Sequence, residues 1–145
     1  MVTVDYHSGY WELDRLQTTD ASTVVKKLKE HFARHGSPCQ LVSDNGPLFD
    51  SAEFQNLTEE WDSEHTVTLP YNSKANGKAE AAVKSAEKLL CNTSKGGDDF
   101  YLGLLAEHNT PSQGIGRSPV QRHMNRRTRT LTDYWYTPGT EISQH

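Results

Sequence analysis

Short extended segments alternate with amphipathic helical segments along this chain, and this alternation restricts the fold more than any other feature of the sequence. Two extended segments at 1–5 and 10–16 flank a His-Ser-Gly turn and predict a β-hairpin. Further strands are predicted at 40–43 and 66–69, each followed or preceded by a helical segment. This order favours a mixed sheet covered by helices.

The helical segments carry apolar residues at intervals of three and four. The first helix is predicted to begin after 18–20, where Thr and Asp can cap it, and to end at Gly36. A polar loop is expected at 71–77, with the next helix beginning at Lys78. Asp98 is expected to cap the helix after that. The predicted apolar stripes are Val25, Leu28 and Phe32; Phe54, Leu57 and Trp61; Ala79, Val83, Ala86 and Leu90; and Tyr101, Leu104, Leu105 and His108. A last short helix is predicted from Ser118-Pro119.

The charge balance argues against a uniformly basic surface. Lys and Arg number 15 against 19 Asp and Glu, for a formal net charge of -4. Contacts with nucleic acid need basic groups that neutralise phosphates, so they must come from a local patch. The one such stretch has no acidic residue and contains Arg117, Arg122, Arg126, Arg127 and Arg129. Its alternative interpretation is a solvated tail. No segment approaches the roughly 18 apolar residues of a membrane helix.

The cysteines and histidines give a weaker signal. Cys39 and Cys91 are too few for a disulfide framework, and we expect both to be small buried residues. His31, His35 and Cys39 recur every four residues, a spacing that metal ligands can share on a helix. Gly36 ends that helix, however, and no fourth ligand follows nearby, so zinc is not the favoured interpretation.

Two carboxylates lie where a ligand site can form. Asp44 follows the strand at 40–43 and precedes Asn45-Gly46, and ligand sites gather at the carboxyl ends of strands in α/β sheets. Glu80 falls in the predicted first turn of the helix after Asn76-Gly77. The intervening helix, strand and loop allow the chain to return to the same edge of the sheet. Taken singly, the two residues are equally explained as a turn residue and a helix-stabilising acid.

Several motifs, in order, resemble those of retroviral and long-terminal-repeat retrotransposon integrases. They are Leu-Val-Ser-Asp-Asn-Gly-Pro-Leu-Phe at 41–49, Leu-Pro-Tyr-Asn-Ser at 69–73 and Asn-Gly-Lys-Ala-Glu at 76–80. Upstream, Val-Asp-Tyr-His-Ser-Gly-Tyr-Trp-Glu at 4–12 resembles the second and third strands of the same family. Downstream, 118–131 resembles the closing segment of retrotransposon members. The resemblance covers nearly the whole chain in register.

This resemblance implies an α/β fold of the ribonuclease H-like type, a mixed sheet flanked by helices. It places a catalytic-core-like domain at 1–124 and a polar tail, basic and then mixed, at 125–145. It also implies a three-carboxylate active site that holds Mg²⁺, with Mn²⁺ as an alternative, in which Asp44 and Glu80 are the second and third catalytic metal ligands. The implied reactions are trimming of a DNA end of the element and transfer of that end into target DNA.

The family places its first catalytic Asp on a strand that precedes the matched region. Asp5 matches the second strand, where the family requires no carboxylate, so we expect the chain to lack the first, central strand and its ligand. We therefore expect no catalysis by this chain as it stands, and DNA-end transfer that Asp5→Ala abolishes would contradict this expectation. The alternatives are a domesticated or relic domain that binds nucleic acid or protein without cutting, and a ribonuclease H-like hydrolase of RNA–DNA hybrids.

The resemblance also implies particular contacts and partners. Lys84 lies one helical turn after Glu80, at a family position that often contacts DNA, although a solvated lysine is an equal alternative. Asn72 and Lys74 belong to the polar loop that lies over the active site in the family. Arg126 and Arg127 are the candidate phosphate contacts of the basic stretch. The expected partners are element ends, target DNA and further copies of the chain, with no membrane, and a nuclear location follows from the DNA substrate.

Overall fold

A computed structural model describes residues 1–68, 73–97, 99–111, 114 and 116–131, with the side chains of 73–76 excepted. The elements are β1 (Val2–Val4), β2 (Trp11–Leu13), α1 (Ala21–His35), β3 (Gln40–Ser43), α2 (Ala52–Glu60), β4 (Glu64–Val67), α3 (Ser73–Gly96), α4 (Phe100–Asn109) and α5 (Pro119–Met124). A 3-10 turn at Pro47–Asp50 joins β3 to α2. Within the described ranges, no helix is both long and apolar enough to cross a membrane.

The strands form two ladders of opposite type. β1 pairs with β2 in an antiparallel hairpin, and β3 pairs with β4 in parallel, from Gln40 opposite Glu64 to Ser43 opposite Val67. In the part of the chain that the structure describes, these are two separate two-stranded sheets. The predicted hairpin and the strand at 40–43 are confirmed. The strand predicted at 66–69 instead begins at Glu64 and ends at Val67, because its pairing with β3 sets its limits and overrides local β-propensity.

Two compact units make up the chain. The first comprises Met1 with Asp14–Gly77, and the second comprises Val2–Leu13 with Lys78–His145. Because 132–145 lie outside the described residues, the predicted domain boundary after residue 124 stays a prediction.

The first unit is built around α1 and α2. Its buried core consists of Val24, Leu28, Phe32, Phe54 and Leu57. The predicted stripe on α1 is therefore correct at two positions, but Val24 occupies the core where Val25 was expected, and Val25 is only partly buried. Both valines lie within one helical turn of Leu28, so only the partner helix decides which of them faces inward.

Local signals determine the ends of α1 and α2. The Asp20 carboxylate accepts a hydrogen bond from the Thr23 amide, and Gly36 ends α1 with a φ of 94° that favours glycine. The Ser51 hydroxyl caps α2 in the same way, by accepting from the Phe54 amide. Trp61, predicted within the α2 stripe, lies just beyond the helix and packs its partly buried ring edge-on against Phe32, with 5.6 Å between ring centroids.

The second unit packs α3 against the hairpin. Trp11, Ala82 and Ala86 form its buried apolar cluster. The stripe predicted on α3 is wrong at Val83 and Leu90, which are 40% and 46% exposed. The large indole ring selects the side of the helix where two alanines one turn apart leave room for it, because a close-packed core needs small residues opposite large ones.

The start of α3 also differs from the prediction. Residues 73–77, expected to be loop, belong to the helix, so Glu80 lies at the end of the second turn rather than in the first. Gly77 inside a helix costs about 1 kcal/mol relative to Ala. That cost is outweighed because the segment that follows is rich in Ala, Lys and Glu, which are strong helix formers. Leu69 and Pro70, predicted to end the preceding strand, lie outside the described residues.

The last two helices confirm some predictions and correct others. Asp99 caps α4, since its carboxylate accepts from the Tyr101 amide at 2.8 Å, whereas Asp98, the predicted cap, lies outside the described residues. His108 is buried as predicted, but Tyr101 is 77% exposed and does not belong to the apolar stripe. Ser118 caps α5 as predicted, and the structure adds that Gln121 completes a reciprocal capping box with it.

Both cysteines are exposed, so the expectation that they are buried is wrong. Cys39 lies in the connection that precedes β3. Cys91 lies on α3, whose buried face is formed by Ala82 and Ala86. Position 91 points away from that face because successive residues on a helix are rotated by about 100°.

Candidate active site

Asp44 is the first residue after β3, at the carboxyl end of the strand. Its Oδ1 accepts a hydrogen bond from the Gly46 amide at 2.9 Å, the pattern of an Asx turn. The Gly46 carbonyl then accepts from the Phe49 amide at 3.1 Å and leads into the 3-10 turn. The side chain is exposed, and among the described residues its Oδ2 has no hydrogen-bond partner. One oxygen is thus held in place while the other remains open to a ligand.

Gly46 allows the chain to approach the Asp44 carboxylate closely. A Cβ atom at this position would lie 3.0 Å from Asp44 Oδ1 and 3.6 Å from Phe49 Cδ2. The φ of Gly46 is -69°, which any residue adopts, so the requirement for glycine is one of space rather than of backbone conformation. Any larger residue here would displace the carboxylate or the ring.

Glu80 lies on α3 in the second unit, and its side chain is exposed. Lys84 follows one turn later, is also exposed and shares its side of the helix. Neither residue forms an ion pair with another described residue. Asp44 belongs to the first unit and Glu80 to the second, so the expected meeting of the two carboxylates stays a prediction.

The candidate DNA-contact residues fall into two groups. Arg126 and Arg127 follow α5 and are exposed, in positions that phosphate contacts would need. Asn72 lies outside the described residues. Lys74 belongs to α3, but the structure does not describe its side chain. Among these candidates, the structure therefore describes the side chains of Lys84 and the two arginines.

Two other arginines of the basic stretch, Arg117 and Arg122, form hydrogen bonds within the second unit. The guanidinium of Arg122 donates to the carbonyl oxygens of His7 and Ser8 and so holds α5 against the turn of the hairpin. Arg117 donates to the Gln121 carbonyl and to Asn125 Oδ1, both at 3.3 Å. These contacts give Arg122 a structural role in the second unit.

Asp5 serves the hairpin turn. Its Oδ2 accepts from the Ser8 hydroxyl at 2.5 Å and from the Ser8 amide at 3.0 Å, and it lies 3.5 Å from His123 Nδ1. Partial burial raises the pKa of the Asp5 carboxyl, but the Ser8 hydrogen bonds and the nearby His123 outweigh that effect and hold the pKa below its ordinary value. The carboxylate thus has a structural task that does not require a metal.

His31, part of the zinc-like spacing, also has polar partners. Its Nε2 lies 2.5 Å from Asp14 Oδ2, and its Nδ1 lies 3.1 Å from Arg34 Nη2. Cys39 is exposed beyond the end of α1. Both ring nitrogens of His31 are therefore used within the first unit.

Sequence inspection missed three residues that surround the backbone before Asp44. They are Ser43 on β3, His65 on β4 and Thr68 directly after β4, and all three are joined by hydrogen bonds. Burial lowers the pKa of His65 below its ordinary value. No sequence signal identifies this group, because it depends on the parallel register that places His65 and Thr68 on either side of the residue paired with Ser43.

The fold matches known integrase structures. The catalytic core domain of BIV integrase is similar with a TM-score of 0.74 and 23% identity, over 86% of this chain and 84% of that chain. The HTLV-2 integrase catalytic core domain in complex with magnesium, in its trimeric form, gives 0.69 and 19%, over 84% and 82%. A simian T-cell lymphotropic virus intasome in complex with a PP2A regulatory subunit gives 0.73 and 22%, over 99% and 50%. The chain therefore has the α/β, ribonuclease H-like fold of an integrase catalytic core, as its motifs predict.

Sequence relatives lead to the same family. An uncharacterized protein of Caenorhabditis elegans is 29% identical over 135 residues, which are 90% of this chain and 11% of that protein. The Gag-Pol polyprotein of Koala retrovirus is 32% identical over 128 residues, 83% of this chain and 8% of the polyprotein. No protein-family model matches the chain. It is an integrase catalytic-core-like domain of the retroviral and retrotransposon type, and it spans only a small part of either relative.

Proposed function

We propose that this domain acts in DNA integration by a retroelement and contributes Asp44 and Glu80 as two carboxylate ligands of a divalent metal centre. The observation that carries the proposal is the state of the Asp44 carboxylate at the end of β3. The Gly46 amide holds one of its oxygens, and the other is exposed and has no partner among the described residues. A metal ligand requires such a fixed but available oxygen.

The chemistry of the two side chains fits Mg²⁺ or Mn²⁺. Both offer hard oxygen donors, and both are exposed. In the described part of the chain, neither forms an ion pair with a basic side chain. When bound, such ions activate an attacking oxygen and neutralise charge on the phosphate. The similar HTLV-2 core was determined in complex with magnesium, which supports this assignment.

DNA is the proposed substrate, and its contacts are local. Lys84, Arg126 and Arg127 are exposed basic residues, and Asn72 and Lys74 join them by resemblance to the family. Because the net charge is -4, the rest of the surface contributes little attraction to phosphates. Similar integrase structures include an intasome and a trimeric form, which supports self-association and DNA-bound assembly here. A nuclear location is proposed because DNA is the proposed substrate.

Metal binding tests the proposal directly. The affinity for Mn²⁺, followed by the electron paramagnetic resonance signal of the free ion, should fall in Asp44→Asn and in Glu80→Gln by about tenfold or more, since tenfold corresponds to 1.4 kcal/mol. Asp50→Asn and Glu87→Gln are matched controls, because they remove the same charge from exposed positions near each ligand. Equal affinities in wild type and Asp44→Asn would contradict the proposal, as would equal losses in the controls.

DNA binding separates this function from a domain that binds nucleic acid without a metal centre. Replacing Arg126 and Arg127 together by Ala should weaken binding and reduce the dependence of log K on log salt by about 0.9 for each phosphate that the variant no longer neutralises. Fluorescence anisotropy with a labelled DNA duplex measures both quantities. Two results together would favour the domesticated or relic binding domain. The arginine variant would bind DNA more weakly, and Asp44→Asn would bind Mn²⁺ as tightly as wild type.

A further inference from the structure

We propose that His65 and Ser43 are positioning residues for Asp44, linked by hydrogen bonds that run from the imidazole through the hydroxyl to the Asp44 backbone. The inference rests on the proposed role of Asp44 as a metal ligand. It assigns to β4 a task that the sequence motifs do not mark, namely to hold the backbone from which the Asp44 carboxylate projects.

The contacts define a directed chain of hydrogen bonds. The Ser43 hydroxyl donates to the Asp44 carbonyl at 2.9 Å, and Ser43 Oγ lies 2.7 Å from His65 Nε2. Because a hydroxyl has only one proton to donate, Ser43 Oγ must accept from His65 Nε2 when it donates to Asp44. The network therefore assigns a proton to Nε2. That nitrogen carries its proton in both the neutral Nε2–H tautomer and the charged ring, so the arrangement does not depend on titration.

The backbone next to Asp44 needs this support because the ladder ends there. Ser43 opposite Val67 is the last pair of β3 and β4. Thr68 extends the hold on Ser43, whose carbonyl accepts from the Thr68 amide at 2.9 Å and from the Thr68 hydroxyl at 3.2 Å. Beyond Ser43, the bond from its own hydroxyl fixes the Asp44 carbonyl, while the Gly46 amide fixes the carboxylate. Asp44 is thus held at both ends.

The far end of the chain of bonds is anchored in the core of the first unit. The His65 ring packs edge-on against Phe54, with 4.7 Å between centroids and 63° between planes. Phe54 is only 1% exposed and belongs to the buried cluster of α1 and α2. A ring held by a core aromatic side chain has little freedom, so the position of its Nε2 is defined by packing.

A second cross-strand hydrogen bond provides an internal comparison. Gln40 Nε2 donates to the Thr66 hydroxyl at 2.9 Å, between the same two strands but without a bond to Ser43 or Asp44. If the His65–Ser43 pair only holds the strands together, then losing either cross-strand bond should have a similar effect. If the pair positions Asp44, only its own loss should alter the carboxylate.

Two readouts test the inference on the whole chain, namely Mn²⁺ affinity and the amide hydrogen exchange of Gly46. The Gly46 amide reports on the Asp44 carboxylate because it donates to Oδ1. Ser43→Ala and His65→Leu should weaken Mn²⁺ binding about 10-fold or more, the usual effect of losing a group that orients a metal ligand. Both should also accelerate Gly46 exchange, whereas Thr66→Val should change neither readout.

Conservative variants distinguish positioning from packing. Ser43→Thr keeps the hydroxyl, and His65→Gln places an amide N–H where Nε2 lies. In both variants, the Mn²⁺ affinity and the protection of the Gly46 amide from exchange should be much closer to the wild-type values than in Ser43→Ala and His65→Leu. Thermal unfolding of each variant confirms that measurements are made on folded protein. If the variant at one position does not fold, the variant at the other, Ser43 or His65, still tests the hydrogen bond between them.

The outcomes separate this inference from the proposed function. Wild-type Mn²⁺ affinity and Gly46 exchange in both Ser43→Ala and His65→Leu would overturn the positioning role, and so would an equal loss in Thr66→Val. If Asp44→Asn binds Mn²⁺ as tightly as wild type, the metal role of Asp44 is wrong and the proposed function fails. In that case, faster Gly46 exchange in the Ser43 and His65 variants would still support the hold on the Asp44 turn.

Discussion

The cores of the two units differ in the types of side chain that they bury. In the first, large apolar side chains on α1 and α2 meet, and Phe54 and Leu57 are each 1% exposed. In the second, Trp11 packs against two alanines, and the buried set also includes Ser8, His108 and Ser118. Burial of apolar area contributes most to the first core. The second combines a smaller apolar area with polar groups that must keep their hydrogen bonds.

The polar groups of the second core form a connected arrangement around the hairpin. His108 Nε2 lies 2.7 Å from the Trp11 carbonyl oxygen, and its ring stacks on Tyr10 with centroids 4.1 Å apart. The His123 ring stacks on Tyr10 as well, at 4.8 Å. Burial lowers the pKa of His108 in this core, so its stability should respond to pH as well as to lost volume.

The largest expected effect is in the apolar core. Phe54→Ala should lower the free energy of unfolding by about 3–5 kcal/mol, because it removes a buried ring and leaves a cavity. Urea denaturation measures the change, with Gln55→Ala as the control on the exposed side of the same helix. A loss below about 1 kcal/mol would mean that the first core collapses around the missing ring and does not depend on it.

A buried hydroxyl provides the next test, in the second core. Ser8→Ala should cost about 1–3 kcal/mol, since the hydroxyl donates to a charged carboxylate and accepts from the Tyr10 amide while fully buried. Ser94→Ala makes the same chemical change at an exposed position of α3 and should have little effect. Equal unfolding free energies for the two variants would remove the distinction between the cores.

The smallest expected effect is a pH dependence of the second core. Burial lowers the pKa of His108 in the folded chain, although the Trp11 carbonyl, Glu12 and Glu107 oppose the shift and His123 adds to it. The unfolded chain takes up a proton near pH 6.5, so it binds more protons than the folded chain just below that pH. The stability contributed by neutral His108 is therefore present above about pH 6.5 and is lost as the pH falls toward the lower folded value.

His108→Gln tests this assignment, because it keeps a hydrogen-bonding group without the titration. The decrease in unfolding free energy between pH 7.5 and pH 5.5 should be smaller in the variant, and an NMR titration should place the wild-type His108 pKa below its ordinary value. His65 of the first unit also has a lowered pKa, so the variant should retain some pH dependence. An unchanged pH profile in His108→Gln would show that the second core is not the pH-sensitive one.

Features that depend on neighbours along the chain follow from the sequence. The caps at Asp20 and at Ser118 both agree with the prediction. Each depends on residues only a few positions apart, whose hydrogen bonds form whatever the rest of the chain does. The integrase motifs likewise led to the ribonuclease H-like fold, which the similar structures bear out.

Tertiary structure alone decided which of two nearly equivalent faces or partners is used. An apolar spacing of three and four fits more than one side of α3, and the bulk of Trp11 selected Ala82 and Ala86. The hold on Asp44 depends in the same way on the register of β3 with β4, which brings His65 to Ser43 across many intervening residues. Local sequence limits the secondary structures and buried faces that a segment can adopt. Pairing and packing between distant segments then select one of them, because the free energies of these contacts exceed the small differences in local propensity.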